Sequence, residues 1–128
     1  NLIKFLRKEL VGMKLLESEL KVLSVLWQEG EMPASVLYRI LAEKVGWNKN
    51  TTYTVLKKCI EKGLIQRQEP NFICKPMKTR EEMGIQSAND IINKMFEKSP
   101  ALFLNAFLGS TKLSEQEIEE AKKLLDNM

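Results

Sequence analysis

Between Trp47 and Gly63 the chain reads W-N-K-N-T-T-Y-T-V-L-K-K-C-I-E-K-G. On a helix, Thr52, Val55, Leu56 and Cys59 recur at the spacing of one buried stripe. The remaining surface carries Asn48, Lys49, Asn50, Thr51, Tyr53, Thr54, Lys57 and Lys58, all hydrogen-bonding or cationic. Almost none of that surface is acidic. Such a face offers a nucleic acid two chemistries. Lys neutralises phosphate charge, and Asn and Thr can meet base edges in a groove. Taken alone, the stretch is better explained as an ordinary amphipathic surface helix with a solvated face. The elements around it must decide.

Residues 1–12 form a short basic amphipathic N-terminal extension with two readings. One is an added helix that packs on the domain or on a partner. The other is a natural start at Met13, with Lys8-Glu9 encoded by a purine-rich ribosome-binding sequence. Residues 17–29 predict a first helix, with Leu20, Leu23, Val25, Leu26 and Trp27 inward, Ser18 as cap and Gly30 as stop. Pro33 then stands near the start of a second helix, where its missing N–H does no harm. Val36, Leu37, Ile40 and Leu41 give that helix a buried face, and Gly46 closes it.

The Asn48–Lys62 helix follows at once, so the pair makes a helix-turn-helix. Gly63 ends it. Residues 64–68 predict a strand, Pro70-Asn71 a turn, and residues 72–76 a returning strand. A helix-turn-helix with a hairpin directly after it is the layout of a winged helix. In that layout Arg67 and the polar turn lie near phosphates, while Phe72 and Ile73 cover the core.

From Lys78 the composition changes. Thr79-x-x-Glu82 is a capping box, and the helix behind it carries Ala88, Ile91, Ile92, Met95 and Phe96 on one stripe. Ser99-Pro100 opens a helix that is apolar on nearly all sides, including Leu102, Phe103 and Phe107, and Gly109 is expected to break it. Ser114-x-x-Glu117 opens a last helix with Ile118, Ala121, Leu124 and Leu125 inward. Three helices in roughly fifty residues rarely bury enough apolar surface alone. The pattern predicts a dimer whose C-terminal helices interlock with a second copy. The expected architecture is mainly α with a small β-hairpin. It divides into an extension (1–12), a winged-helix DNA-binding domain (13–78) and a three-helix dimerisation domain (79–128).

Composition narrows the chemistry. The chain has 128 residues, 44% hydrophobic and 29% charged, which suits one ordinary domain or two small ones. No apolar run approaches the ~20 residues of a membrane span, and no secretory signal is legible. Cys59 and Cys74 lie far apart, which fits a reducing cytoplasm and neither a disulfide scaffold nor a zinc finger. Histidine is absent, so no Ser-His or Cys-His catalytic site can form. Clustered catalytic carboxylates and a phosphate loop are missing too, and neither an enzyme nor a cofactor or metal site is expected. Residues 1–78 hold 14 Lys/Arg against 8 Asp/Glu, net +6, and residues 79–128 hold 6 against 9, net −3. A polyanion suits the first part as partner.

Three segments resemble the penicillinase/methicillin-resistance repressor (BlaI/MecI) family in order and spacing. They are W-x-x-x-T at Trp47–Thr51, T-V-L-K-K and K-G-L-I between Thr54 and Ile65, and L-F-L-N followed by K-L-S-E-Q-E-I-E-E between Leu102 and Glu120. The resemblance runs from about Leu15 to Leu125. It implies a dimeric winged-helix repressor on a palindromic operator, with DNA contacts at Asn48, Asn50, Thr51, Tyr53, Thr54 and Lys58. Relatives often carry a basic residue where this chain has Tyr53, which points to a different operator preference. In β-lactam-responsive relatives a pathway through a membrane sensor protease leads to cleavage at an Asn-Phe bond. Here the matching bond is Asn105-Ala106, with Phe at 107, and the departure counts against cleavage. The clustered C-terminal cysteines of the copper-sensing branch are absent. A protein-docking winged helix without specific DNA binding is the alternative, since fold does not fix function. A basic Asn/Thr-rich helix favours DNA.

Overall fold

The computed structural model describes Leu2 and residues 15–128, so both readings of the N-terminal extension lie outside the described residues apart from the exposed Leu2. The described elements are α1 (Glu17–Glu29), β1 (Met32–Pro33), α2 (Ala34–Val45), α3 (Lys49–Glu61), β2 (Ile65–Gln68), β3 (Ile73–Pro76), α4 (Arg80–Met95), α5 (Pro100–Ser110) and α6 (Glu115–Asp126). This is the mainly helical winged-helix architecture that the spacing predicts. By contacts the chain forms two compact units, Asn1–Ala88 and Asn89–Met128. The division falls inside α4 because the start of that helix belongs to the first unit. Met83 is buried there, and the Trp27 indole N–H donates to the Lys78 carbonyl at 2.9 Å.

In the first unit α1, α2 and α3 enclose one core of Val22, Leu23, Val25, Leu26, Leu37, Leu41, Val55, Leu56 and Cys59, closed below by Ile65 and Cys74 of the sheet. Each large aliphatic side chain so buried contributes about 1.5–3 kcal/mol. Two expected core positions differ. Leu20 and Val36 lie at the margins of their stripes and stay exposed, while Val22 takes the central place on α1. Trp27 is only half-buried, held at the edge by its hydrogen bond.

The start of α1 is also not as expected. Leu16, not Ser18, is the N-cap, and the Glu19 carboxylate reaches back to the Leu16 N–H at 2.9 Å. Glu19 is fully buried and takes a second hydrogen bond, 2.8 Å, from the Lys62 ammonium at the end of α3. The first turn of α1 is thereby tied to the last turn of α3.

The sheet is antiparallel in the order β1-β3-β2. Strands β2 and β3 pair Ile65 with Pro76 and Arg67 with Cys74. Strand β1 was not foreseen: Met32 and Pro33 pair with Cys74 and Ile73 on the outer edge. Pro33 tolerates that place because an edge strand leaves one side without ladder bonds.

Cys59 and Cys74 are fully buried. Burial pushes the Cys59 thiol up to about 12, helped by the Glu19 charge, and the Cys74 thiol up to about 11. Both therefore stay neutral and inert in the folded protein. Above the ordinary value of 9.0 the unfolded chain releases thiol protons that the folded chain keeps. Stability should then fall with rising pH, by up to ~1.4 kcal/mol per pH unit per thiol. Urea midpoints followed from about pH 8 to 10.5 should decline less steeply for Cys59→Ala/Cys74→Ala than for the natural chain.

In the second unit Phe96 meets Phe103 edge-on at 5.3 Å and Phe103 stacks on Phe107 at 5.7 Å. Ser99 caps α5 through the Leu102 N–H at 3.0 Å, and Ser114 caps α6 through the Glu117 N–H at 3.1 Å. Gly109 does not break α5. The helix runs to Ser110, whose hydroxyl donates to the Ala106 carbonyl at 3.0 Å. No residue of α5 or α6 is buried.

Candidate nucleic-acid interface

Helix α3 begins where Gly46 turns the chain. Gly46 has φ +78°, a left-handed conformation suited to glycine, and its N–H bonds the Leu41 and Ala42 carbonyls at 3.1 Å. Asn48 is the N-cap: its side-chain oxygen accepts from the Thr51 N–H at 2.8 Å. That leaves its amide NH2 as the donor it can offer outward. Thr52 is buried, and its hydroxyl donates to the Asn48 carbonyl at 3.1 Å. Together with Val55, Leu56 and Cys59 it forms the predicted inward stripe.

The opposite surface is open. Lys49, Asn50, Thr51, Thr54, Lys57 and Lys58 are all exposed. The first turn of α3 holds no acidic residue, whereas α1, α4 and α6 each hold two there. An acid at that place would help the helix and repel an anion. Its absence leaves the positive end of the helix dipole available to phosphate.

Tyr53 sits apart from that face. It is half-buried and meets the Phe72 ring edge-to-face, centroids 5.9 Å apart at 82°, with the Lys49 ammonium 5.9 Å from its own centroid. Phe72 belongs to the turn of the wing. It has φ +48°, and its carbonyl accepts the Ala34 N–H at 2.9 Å. Arg67 on β2 lays its guanidinium over the Phe72 ring, 3.7 Å from the centroid, and pairs with the Glu69 carboxylate. A cleft of about 490 Å3 lies between helix and wing, lined by Tyr53, Lys57, Ile60, Glu61, Arg67 and Phe72.

The structure thus gathers eight of the nine predicted residues on α3 and its cap, and brings Arg67 to the wing beside Tyr53. The residues that sequence reasoning missed are Phe72, assigned only to the core, and Glu69. No spacing signal could pair a wing aromatic with a helix tyrosine, because the contact joins separate elements.

A helix-turn-helix with a hairpin wing in a three-stranded sheet and an exposed Lys/Asn/Thr face on its second helix defines a winged-helix protein of the nucleic-acid-binding type. The family model for the penicillinase repressor matches residues 15–127, and the chain belongs to that family. This is a family of repressors and not of enzymes, and it favours a repressor over a protein-docking module. The methicillin resistance regulatory protein MecI of Staphylococcus aureus (strain N315) is 27% identical over 112 residues, covering 85% of this chain and 90% of that protein. The penicillinase repressor of Bacillus licheniformis is 21% identical over 112 residues, covering 86% and 88%. The solution structure of the DNA binding domain of the repressor BlaI matches with a TM-score of 0.50 at 21% identity, over 55% of this chain and 88% of that one. That likeness supports the winged-helix fold.

Proposed function

We propose that the protein is a DNA-binding transcriptional repressor acting as a homodimer on a palindromic operator in the cytoplasm. The observation that carries this reading is the contiguous exposed face of Lys49, Asn50, Thr51, Thr54, Lys57 and Lys58 on α3. The proposed division of labour gives residues 13–78 the DNA and residues 79–128 the pairing of subunits. Asn48, Asn50, Thr51 and Thr54 face bases and sugars, while Lys49, Lys57, Lys58 and Arg67 meet phosphates; Tyr53, half-buried against Phe72, stands behind that face.

Support for the dimer comes from apolar surface that one chain leaves uncovered. Met95 is 74% exposed, Leu124 69% and Leu125 62%, with Ile91, Leu102, Phe107 and Ile118 exposed as well; Ile92 and Phe103 are half-buried. Exposed apolar residues gathered in so small a unit mark an interaction surface. Two subunits would set their α3 helices one DNA turn apart, ~34 Å or a multiple. Among the described residues no helix is long and apolar enough to cross a membrane.

Release by a sensor-protease pathway would need access to Asn105-Ala106. Both residues are exposed but lie within α5 in helical conformation. A protease reads extended chain, so α5 would have to open first.

Gel shifts test the assignment of roles. Lys58→Ala is expected to weaken binding to all sequences alike and to lower the salt slope by about 1. Asn50→Ala should relax preference at one base position, at a cost of ~1–3 kcal/mol. Unaltered operator affinity in both variants would remove α3 from the interface. A steep fall of random-duplex affinity with salt separates DNA binding from protein docking.

A further inference from the structure

The wing cation is not free to wander. Arg67 has an exposed guanidinium, yet two groups hold it. Glu69 pairs with its edge, and the Phe72 ring lies under its face at 3.7 Å. Phe72 is itself fixed from two further directions. Its carbonyl accepts the Ala34 N–H at 2.9 Å, and its ring meets Tyr53 of α3 edge-to-face at 5.9 Å. Arg67, Phe72 and Tyr53 therefore form one continuous chain of contacts from wing to reading helix, and Lys49 extends it at 5.9 Å from the Tyr53 centroid.

We infer that Phe72 is a positioning residue for DNA binding, acting through Arg67. The inference rests on the proposed function. An arginine side chain loses much rotamer freedom when it grips a phosphate. One already laid on an aromatic face loses less, because the plane of the guanidinium is set in advance. When DNA arrives, a phosphate takes the edge that Glu69 holds, and the ring keeps the face throughout. Tyr53 ties that arrangement to α3, so wing and helix reach the duplex in one fixed relation. This gives Tyr53 a role of its own, bracing that chain of contacts.

The test is the salt dependence of binding to a fluorescent random-sequence duplex, read by anisotropy on the full chain. Arg67→Gln should lower the slope of log K against log salt by about 0.9 per subunit bound. Phe72→Leu removes no charge, yet it should lower the slope by much of the same amount. The combination Arg67→Gln/Phe72→Leu should lose no more slope than Arg67→Gln. Phe72→Tyr, which keeps the ring, should restore the natural slope. If Phe72→Leu does not fold, Tyr53→Leu serves instead. It also removes no charge, and it should give a smaller loss of slope. A folded Phe72→Leu or Tyr53→Leu protein with the natural slope overturns the inference. So does a loss of affinity in Phe72→Leu that is equal at every salt concentration, which marks the ring as structural only. If the natural chain binds with no salt dependence, the proposed function fails and the inference falls with it.

Discussion

The full chain carrying Leu124→Asp and Leu125→Asp is expected to sediment as a monomer and to bind a two-half-site duplex ~10²–10⁴-fold more weakly. Both leucines lie on α6 and are exposed at 69% and 62%. Covering such a side chain contributes about 1.5–3 kcal/mol, and a symmetric interface counts each residue twice. Aspartate removes that gain and adds a charge that is costly to bury unpaired. Each subunit would then meet the duplex alone, and the second half-site contact would lose its high effective concentration. Sedimentation and gel shifts read the two effects separately. A natural chain that is monomeric at micromolar concentration would refute the dimer. A monomeric variant with natural operator affinity would refute the coupling between pairing and DNA.

Lys62→Met is expected to cost ~3–5 kcal/mol of stability, the range for breaking a buried ion pair. The Glu19 side chain is 0% exposed, while that of Lys62 keeps 16% and lies nearer to water. Once Lys62 is removed, Glu19 Oε1 retains the Leu16 N–H, while Oε2 is buried with no hydrogen-bond partner among the described residues. Against a typical total of 5–15 kcal/mol the loss is large. The effect also reaches the interface, since Lys62 is the C-cap of α3 and fixes its end to α1. The apolar pair Glu19→Leu/Lys62→Met should recover most of the loss, because well-packed apolar residues can replace a buried ion pair at little cost. Urea unfolding of the single and double variants gives the coupling energy directly. Strictly additive losses would show that the two charges do not depend on each other.

What the sequence disclosed, and what it withheld, follows from the range of each interaction. Helix spacing and Gly or Pro punctuation are local, so α3 and its stripe of Thr52, Val55, Leu56 and Cys59 could be read directly. Gly46, Gly63 and Pro70-Asn71 marked the helix-turn-helix and the wing for the same reason. The capping boxes at Thr79 and Ser114 also close over three residues and were legible. Glu19 was not. A glutamate in a first turn reads as a solvated partner of the helix dipole, and only the arrival of Lys62 from α3 explains its burial. Strand β1 is two residues long, too short for any alternation to show. Gly109 misled because a glycine near a helix end is a stop signal only on average, and α5 passes through it. At the candidate site the exposed Lys/Asn/Thr face was legible from type and spacing. The Tyr53–Phe72–Arg67 chain of contacts was not, because it joins α3 to β2 and the turn of the wing.

The central claim is that the outer face of α3 reads DNA. Titrating a duplex that bears the operator into isotopically labelled full-length protein, with backbone amide shifts followed by NMR, tests it most directly. The largest shifts are expected at Asn50, Thr51, Thr54 and Lys58, with Arg67 of the wing following. Shifts confined to α5 and α6, with those of α3 unmoved, would contradict it.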